Sequence, residues 1–293
     1  MKRNVLRMEL KKAFQTKMFA ASLLIMSLVA CLSAAYSIEV YRDNLSMLQS
    51  ISPDGNFSKN YMLPVLSSYS AWIGNETRSL MQALFYMLIP VAAVFPFGSS
   101  FLSEEKSGYL RNVAVRISMP FYYFAKALAC FCSAFTAVVL PMLLNFLVVS
   151  AVMPSSLPHA GYEIYYVVYF GDFFSDLFYS QPLLFVVLNI LLPGLFAGVI
   201  ALLAFTLSLK IKNKYVILFL PFLFFLGIEY LASFVLRNVD GNVWGYEFSL
   251  TTLLHASVPR GDKVWWMAAG QMLLLLGCTI PVLAVRSKKN EVF

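Results

Sequence analysis

Six apolar runs, at about 18–36, 80–102, 124–152, 183–209, 215–236 and 264–285, constrain this chain more than any other feature. Each can cross about 30 Å of hydrocarbon at 1.5 Å per helical residue. Inside a bilayer every backbone N–H and C=O needs an internal partner, so runs of this length are read as helices. A soluble alternative fails on composition. Of 293 residues, 60% are hydrophobic and 13% charged, with a mean hydropathy of +0.73, against about 25% charged in an ordinary globular domain. The expected fold is all-α: a polytopic integral membrane protein with six transmembrane helices, forming a single domain over 1–293.

The connections between the runs differ in charge. Lys2, Arg3, Arg7, Lys11, Lys12 and Lys17 precede the first run; Lys106, Arg111, Arg116 and Lys126 follow the second; Lys210, Lys212 and Lys214 follow the fourth; Arg286, Lys288 and Lys289 follow the sixth. The other connections hold Arg42, Lys59, Arg78, Arg237, Arg260 and Lys263, together with most of the acidic residues. The positive-inside rule then puts both termini in the cytoplasm of a multi-pass protein of the cell membrane. The net charge of +7 reads as topology plus attraction to anionic lipid of the bilayer, and no nucleic-acid partner is expected.

Residues 1–17 are expected to form an amphipathic helix on the cytoplasmic surface. Val5, Leu6, Met8 or Glu9, Leu10, Ala13 and Phe14 share one side, with Lys and Arg opposite, as in a helix lying in the interface. Leu28-Val29-Ala30-Cys31 resembles a lipoprotein cleavage box, but the long patterned leader favours an uncleaved anchor. Cys31, Cys130, Cys132 and Cys278 all lie within apolar runs, as small packing residues rather than disulfide or zinc partners.

The connections 37–79 and 153–182 are expected outside. The first contains the turn Ser52-Pro53-Asp54-Gly55-Asn56 and three glycosylation-type triplets, at Asn44, Asn56 and Asn75, short enough to arise by chance. The second lacks Lys and Arg and is dense in aromatics, among them Tyr162, Tyr165, Tyr166, Tyr169, Phe173, Phe178 and Tyr179. It reads as an aromatic belt on an interfacial or re-entrant segment, or as an outer gate.

Catalytic patterns are missing. His159 and His255 form no H-E-x-x-H arrangement, no G-x-S-x-G elbow occurs, and no phosphate-cradling G-x-x-x-x-G-K-[ST] loop is present. The chain is not expected to be an enzyme, nor to bind a cofactor or a metal.

The segment 103–120 carries the most information. Glu104 and Glu105 suit the positive end of a short helix, and Gly108 permits a close approach or a positive φ. Tyr109 and Leu110 follow, and Leu110, Val113 and Ile117 make an apolar stripe fit for a groove on a partner or for the inner leaflet. An acidic pair, a glycine, a short helix, a proline turn at Pro120, aromatics at 121–123 and Lys126 occur in that order. This resembles the cytoplasmic coupling segment of type-2 ABC-transporter permeases. The basic entry helix, the large first external connection, the six spans and the Lys212-Asn213-Lys214-Tyr215 turn extend the likeness over most of the chain.

The resemblance implies a permease that pairs with a second copy or a paralogue and is driven by two cytosolic ABC ATPase subunits, which hold the ATP and Mg²⁺. Glu104, Glu105, Gly108, Tyr109, Leu110 and Val113 would then be ATPase-coupling residues. The absence of a large soluble domain and the aromatic outer connection favour an exported amphipathic peptide, drug or lipid-like substrate. A secondary transporter or channel, and a noncatalytic membrane sensor or immunity protein, stay open as alternatives.

Few polar residues interrupt the spans. Glu229 is the expensive one, since a carboxylate inside a span costs roughly 2.5–3.5 kcal/mol on insertion scales unless paired or wetted. It either lines a translocation path or reaches the interface near Arg237. Asn145 and Asn189 are candidate path residues or, like Gln271, interhelical hydrogen bonders, and Gln82 is a further polar exception. Pro90, Pro96, Pro141, Pro193, Pro221 and Pro281 are candidate kinks.

Overall fold

The computed structural model describes residues 2–51, 67–77, 79–161, 166–172, 174–231, 234, 253–255 and 264–288. The turn at 52–56, the triplet at Asn56, the cations Lys59, Arg78, Arg237, Arg260, Lys263 and Lys289, and the aromatics Tyr162, Tyr165 and Phe173 lie outside these residues. Every regular element among the described residues is a helix.

Helix α1 (Lys2–Gln15) leads into α2 (Lys17–Ile51) through a bend at Thr16, whose hydroxyl caps α2 by accepting from the Phe19 N–H at 3.1 Å. At about 1.5 Å per residue α2 is longer than a bilayer is thick. Nothing in its sequence breaks the helix before Pro53, so it continues well past residue 36, where the first external connection was expected to begin.

The second apolar run is not one helix. It splits into α4 (Leu80–Val94), which follows the one-turn α3 (Ser68–Ala71), and α5 (Ser100–Lys106). The cause is Pro96, which has no N–H and leaves the Ala92 carbonyl without its partner four residues on. Neighbouring helices satisfy the break. Ser22 Oγ donates to the Ala92 oxygen at 3.1 Å, Thr16 Oγ1 to the Pro96 oxygen at 3.1 Å, and Cys130 Sγ to the Phe97 oxygen at 3.7 Å. Irregular backbone at membrane depth survives under this condition, buried and bonded by protein.

After the short α6 (Tyr109–Ala114), α7 (Met119–Val152) and α9 (Pro182–Ser208) form the centre, joined through α8 (Ser175–Ser180). The inner face of α9 holds Gly194, Ala197, Gly198, Ala201 and Ala204, spaced by three and four residues. A Cβ at Gly198 would lie 2.4 Å from the Phe131 ring, and one at Gly194 2.4 Å from Val139 Cγ2. The stacked Phe131 and Phe135 rings of α7 thus rest directly on the backbone of α9. Small residues are the means by which helices without a hydrophobic driving force between them pack closely.

Helices α10 (Lys214–Tyr230) and α11 (Val264–Lys288) flank this centre. Pro90, Pro141, Pro193, Pro221 and Pro281 all sit inside continuous helices; among the described residues only Pro96 coincides with a break. Four helices are long and apolar enough to cross a membrane: Lys17–Met47, Met119–Val152, Pro182–Ser208 and Ala268–Val285. Outward-facing Leu24, Leu28 and Leu32 on α2, Leu143 and Leu147 on α7, and Leu273 and Leu274 on α11 give an exterior suited to hydrocarbon.

The stretch 67–77 does not stay at the surface. Trp72 and Ile73 are fully buried, and the Ile73 N–H donates to Asn145 Oδ1 at 2.8 Å. Asn145 Nδ2 donates in turn to the Ala30 oxygen at 2.7 Å, tying α2, α7 and this connection together.

Candidate functional site

Four charges meet where α1, α5 and α7 converge. The apolar face of α1 is made by Val5, Glu9 and Ala13, at successive four-residue steps, all buried. Glu9 is therefore carried into the bundle, and its side chain is 0% exposed. Lys126 enters from the second turn of α7 and is likewise 0% exposed. Burying either ion alone would be prohibitive, and the arrangement answers by alternation.

Lys126 Nζ lies 2.6 Å from Glu104 Oε2 and 3.4 Å from Glu9 Oε2. Lys12 Nζ lies 3.2 Å from Glu104 Oε1 and 3.1 Å from Glu9 Oε1. Each carboxylate gives one oxygen to each ammonium, which closes a neutral ring of two acids and two bases. Tyr122 donates its hydroxyl to Glu104. Aromatic faces complete the shell: Lys12 lies 4.2 Å from the centre of the Tyr109 ring, and Lys126 4.8 Å from that of Phe97.

The electrostatic consequence is clear for Glu104 and Lys12, which lie outside the spans. Burial would raise the Glu104 carboxyl, but Lys126, Tyr122 and Lys12 outweigh it and hold it below the usual carboxylate range. Burial would likewise lower Lys12, and Glu104 and Glu9 outweigh that and raise its ammonium above the usual lysine range.

The residues expected to couple to an ATPase divide between two faces. Glu104 points inward into the ring, Leu110 and Val113 are buried in the chain's own core, and Tyr109 is half-buried under Lys12. Gly108 caps α6 at φ 72°, the left-handed conformation that glycine adopts without strain, and no atom lies within 4 Å of where a Cβ would be. Glu105, Lys106, Arg111, Asn112, Val115 and Arg116 are exposed. The apolar stripe thus anchors the segment, and its polar edge faces out.

The candidate path residues lie on three separate helices. Asn145 spends its amide on Ile73 and Ala30, Asn189 donates to the Phe185 oxygen of its own helix at 2.9 Å, and Glu229 is the half-buried penultimate residue of α10. Two other expectations can be placed. Tyr166, Phe178 and Tyr179 form an edge-packed aromatic group beside Phe185. Asn75, in a glycosylation-type triplet, is buried and donates to the Tyr69 oxygen.

Glu9 and Lys12 are the site residues that motif reading missed, while Tyr122 and Lys126 entered it only as the aromatic and basic end of the motif, without their role in the ring. The available signal was a carboxylate on the apolar face of α1 and a lysine at the edge of an apolar run, two groups that each demand a counter-charge. Among the described residues no cluster of His, Cys, Asp and Glu could hold a metal ion. Comparison with known protein families, curated proteins and solved structures finds no match to this chain.

Proposed function

We propose that this chain is the membrane-spanning permease subunit of a type-2 ABC transporter, with six spans, both termini in the cytoplasm and the cell membrane as its location. It would act beside a second copy or a paralogue. A separate pair of cytosolic ATPases would bind ATP and Mg²⁺, and an amphipathic peptide, drug or lipid-like compound would be exported.

The observation that carries this reading is the mounting of residues 100–118. The segment is clamped on its inner side by Glu104 to α1 and α7, and by Leu110 and Val113 to the core. Its outer side presents Lys106, Arg111, Asn112, Val115 and Arg116 to solvent, with Val115 85% exposed. A segment held rigidly behind and open in front transmits a push from a docked partner to the helices it is tied to. The excess of Lys and Arg over Glu105 on that face favours a partner groove with acidic walls.

The test is purification of tagged protein from its native host in mild detergent, with identification of copurifying chains and an ATPase assay. An ATPase with a phosphate-binding loop should accompany the wild type and be lost from Arg111→Glu/Val115→Asp, with the thermal stability of the permease unchanged. A stable chain that purifies without an ATPase overturns the reading.

A further inference from the structure

We propose that the groove between α7, α9 and α11 binds one acyl chain of an anionic phospholipid. The inference does not depend on the transporter reading, and a failure of either leaves the other standing. The groove encloses about 530 Å³ and is walled by Pro120, Phe124 and Phe131 of α7, Leu202 of α9, and Ile280 and Leu283 of α11. It opens sideways on the bundle exterior, where Phe124 is 60% and Ile280 57% exposed. Thr279 adds a hydroxyl to the wall, but that group is turned into its helix, donating to the Leu276 oxygen at 3.1 Å. The lining therefore suits a hydrocarbon occupant and offers little to a polar one.

Charge placement selects the occupant. Where α7 begins and α9 ends, cations stand in the chain that flanks the groove, and the sequence of α11 carries another just past its groove residues. Arg116 precedes Pro120 by four residues, Lys210 follows Leu202 by eight, and Arg286 follows Ala284 by two. Arg116 and Lys210 are exposed. Among the described residues, the acids at that end are Glu9 and Glu104, both neutralised in the ring, and Glu105. An apolar slot topped by cations fits an anionic lipid, whose head group is attracted by nearby Lys and Arg. A second copy of the chain is disfavoured by size, since a cleft of this volume has small-molecule dimensions, whereas stable protein interfaces use about 20–30 residues a side.

The full chain would be reconstituted in nanodiscs of phosphatidylglycerol or phosphatidylcholine, released into a delipidating detergent and weighed by native mass spectrometry. Wild type should keep one phosphatidylglycerol per chain. Ala127→Phe and Ala284→Phe, which fill the groove, should lower retention at least about tenfold, whereas Leu144→Phe on the exposed face of α7 should not. Leu283→Trp fills the slot from α11 and decides the matter if Ala127→Phe unfolds. Lys210→Gln/Arg286→Gln should abolish the preference for phosphatidylglycerol. Equal retention by filled and open grooves, no retained lipid in wild type, or a lipid-free dimer that the filling substitutions dissociate would overturn the proposal.

Discussion

Lys126 and Glu104 lie 2.6 Å apart, nitrogen to oxygen, although one belongs to a helix of membrane-crossing length and the other to the short helix α5. Because Lys126 also reaches Glu9, removing its ammonium leaves two carboxylates to share Lys12 alone in a buried site.

Lys126→Met should therefore destabilise the protein by about 3–5 kcal/mol, the usual consequence of leaving a buried charge unpaired. The added Glu104→Gln change should recover part of the loss, because it removes the excess carboxylate and leaves Glu9 paired with Lys12. Thermal unfolding of the single and double variants in one detergent measures the coupling.

The pH response follows from the same ring. A folded-state carboxyl held below its unfolded value stabilises at neutral pH, and that contribution disappears as pH falls through and below the carboxylate range. Lys12, raised in the folded state, contributes below the ordinary lysine range and loses its contribution as pH rises above it. The melting temperature of wild type should fall at both extremes. Glu104→Gln should start lower and show a flatter acid limb.

At the helix break, Ser22→Ala should cost about 1–3 kcal/mol by orphaning the Ala92 carbonyl in a buried place. Combining it with Pro96→Ala restores a backbone donor four residues on, so the double variant should recover stability. A double variant no better than Ser22→Ala alone would show that the hydroxyl does not satisfy the break.

Gly198→Val should destabilise the packing of α9 on α7 by about 1–3 kcal/mol, since its Cβ would meet the Phe131 ring at 2.4 Å. Phe131→Ala in the same chain removes the clash and should offset the loss. Thermal melts of the three variants, together with wild type, give the answer.

The sequence disclosed the helices better than their lengths. Hydropathy locates apolar runs, and α7 and α9 match the third and fourth closely. It does not register Pro96 as a stop and Pro141 as a passenger, because the difference lies in neighbours such as Ser22 and Thr16 that take over the freed carbonyls. The short helix after Gly108 was legible in outline, and Gly108 in detail, because a positive φ leaves a compositional mark. The inward turn of Glu104 was not, since its partners stand 92 residues before it and 22 after it. Amphipathic periodicity tells which residues share a face but not whether that face meets lipid, a partner or the chain itself, which is how Leu110 and Val113 came to lie in the core.

The ring also sets an order of assembly. Lys126 Nζ reaches back 117 positions in sequence to Glu9, so the first helix made must wait for the third long apolar run before its buried acid finds a base. Until then the base within reach on the same helix is Lys12, three residues away. Packing of α1 into the bundle is therefore expected to be late in biogenesis and conditional on correct insertion of α7. A chain truncated before residue 126 should leave α1 accessible to protease, and extension past that point should protect it.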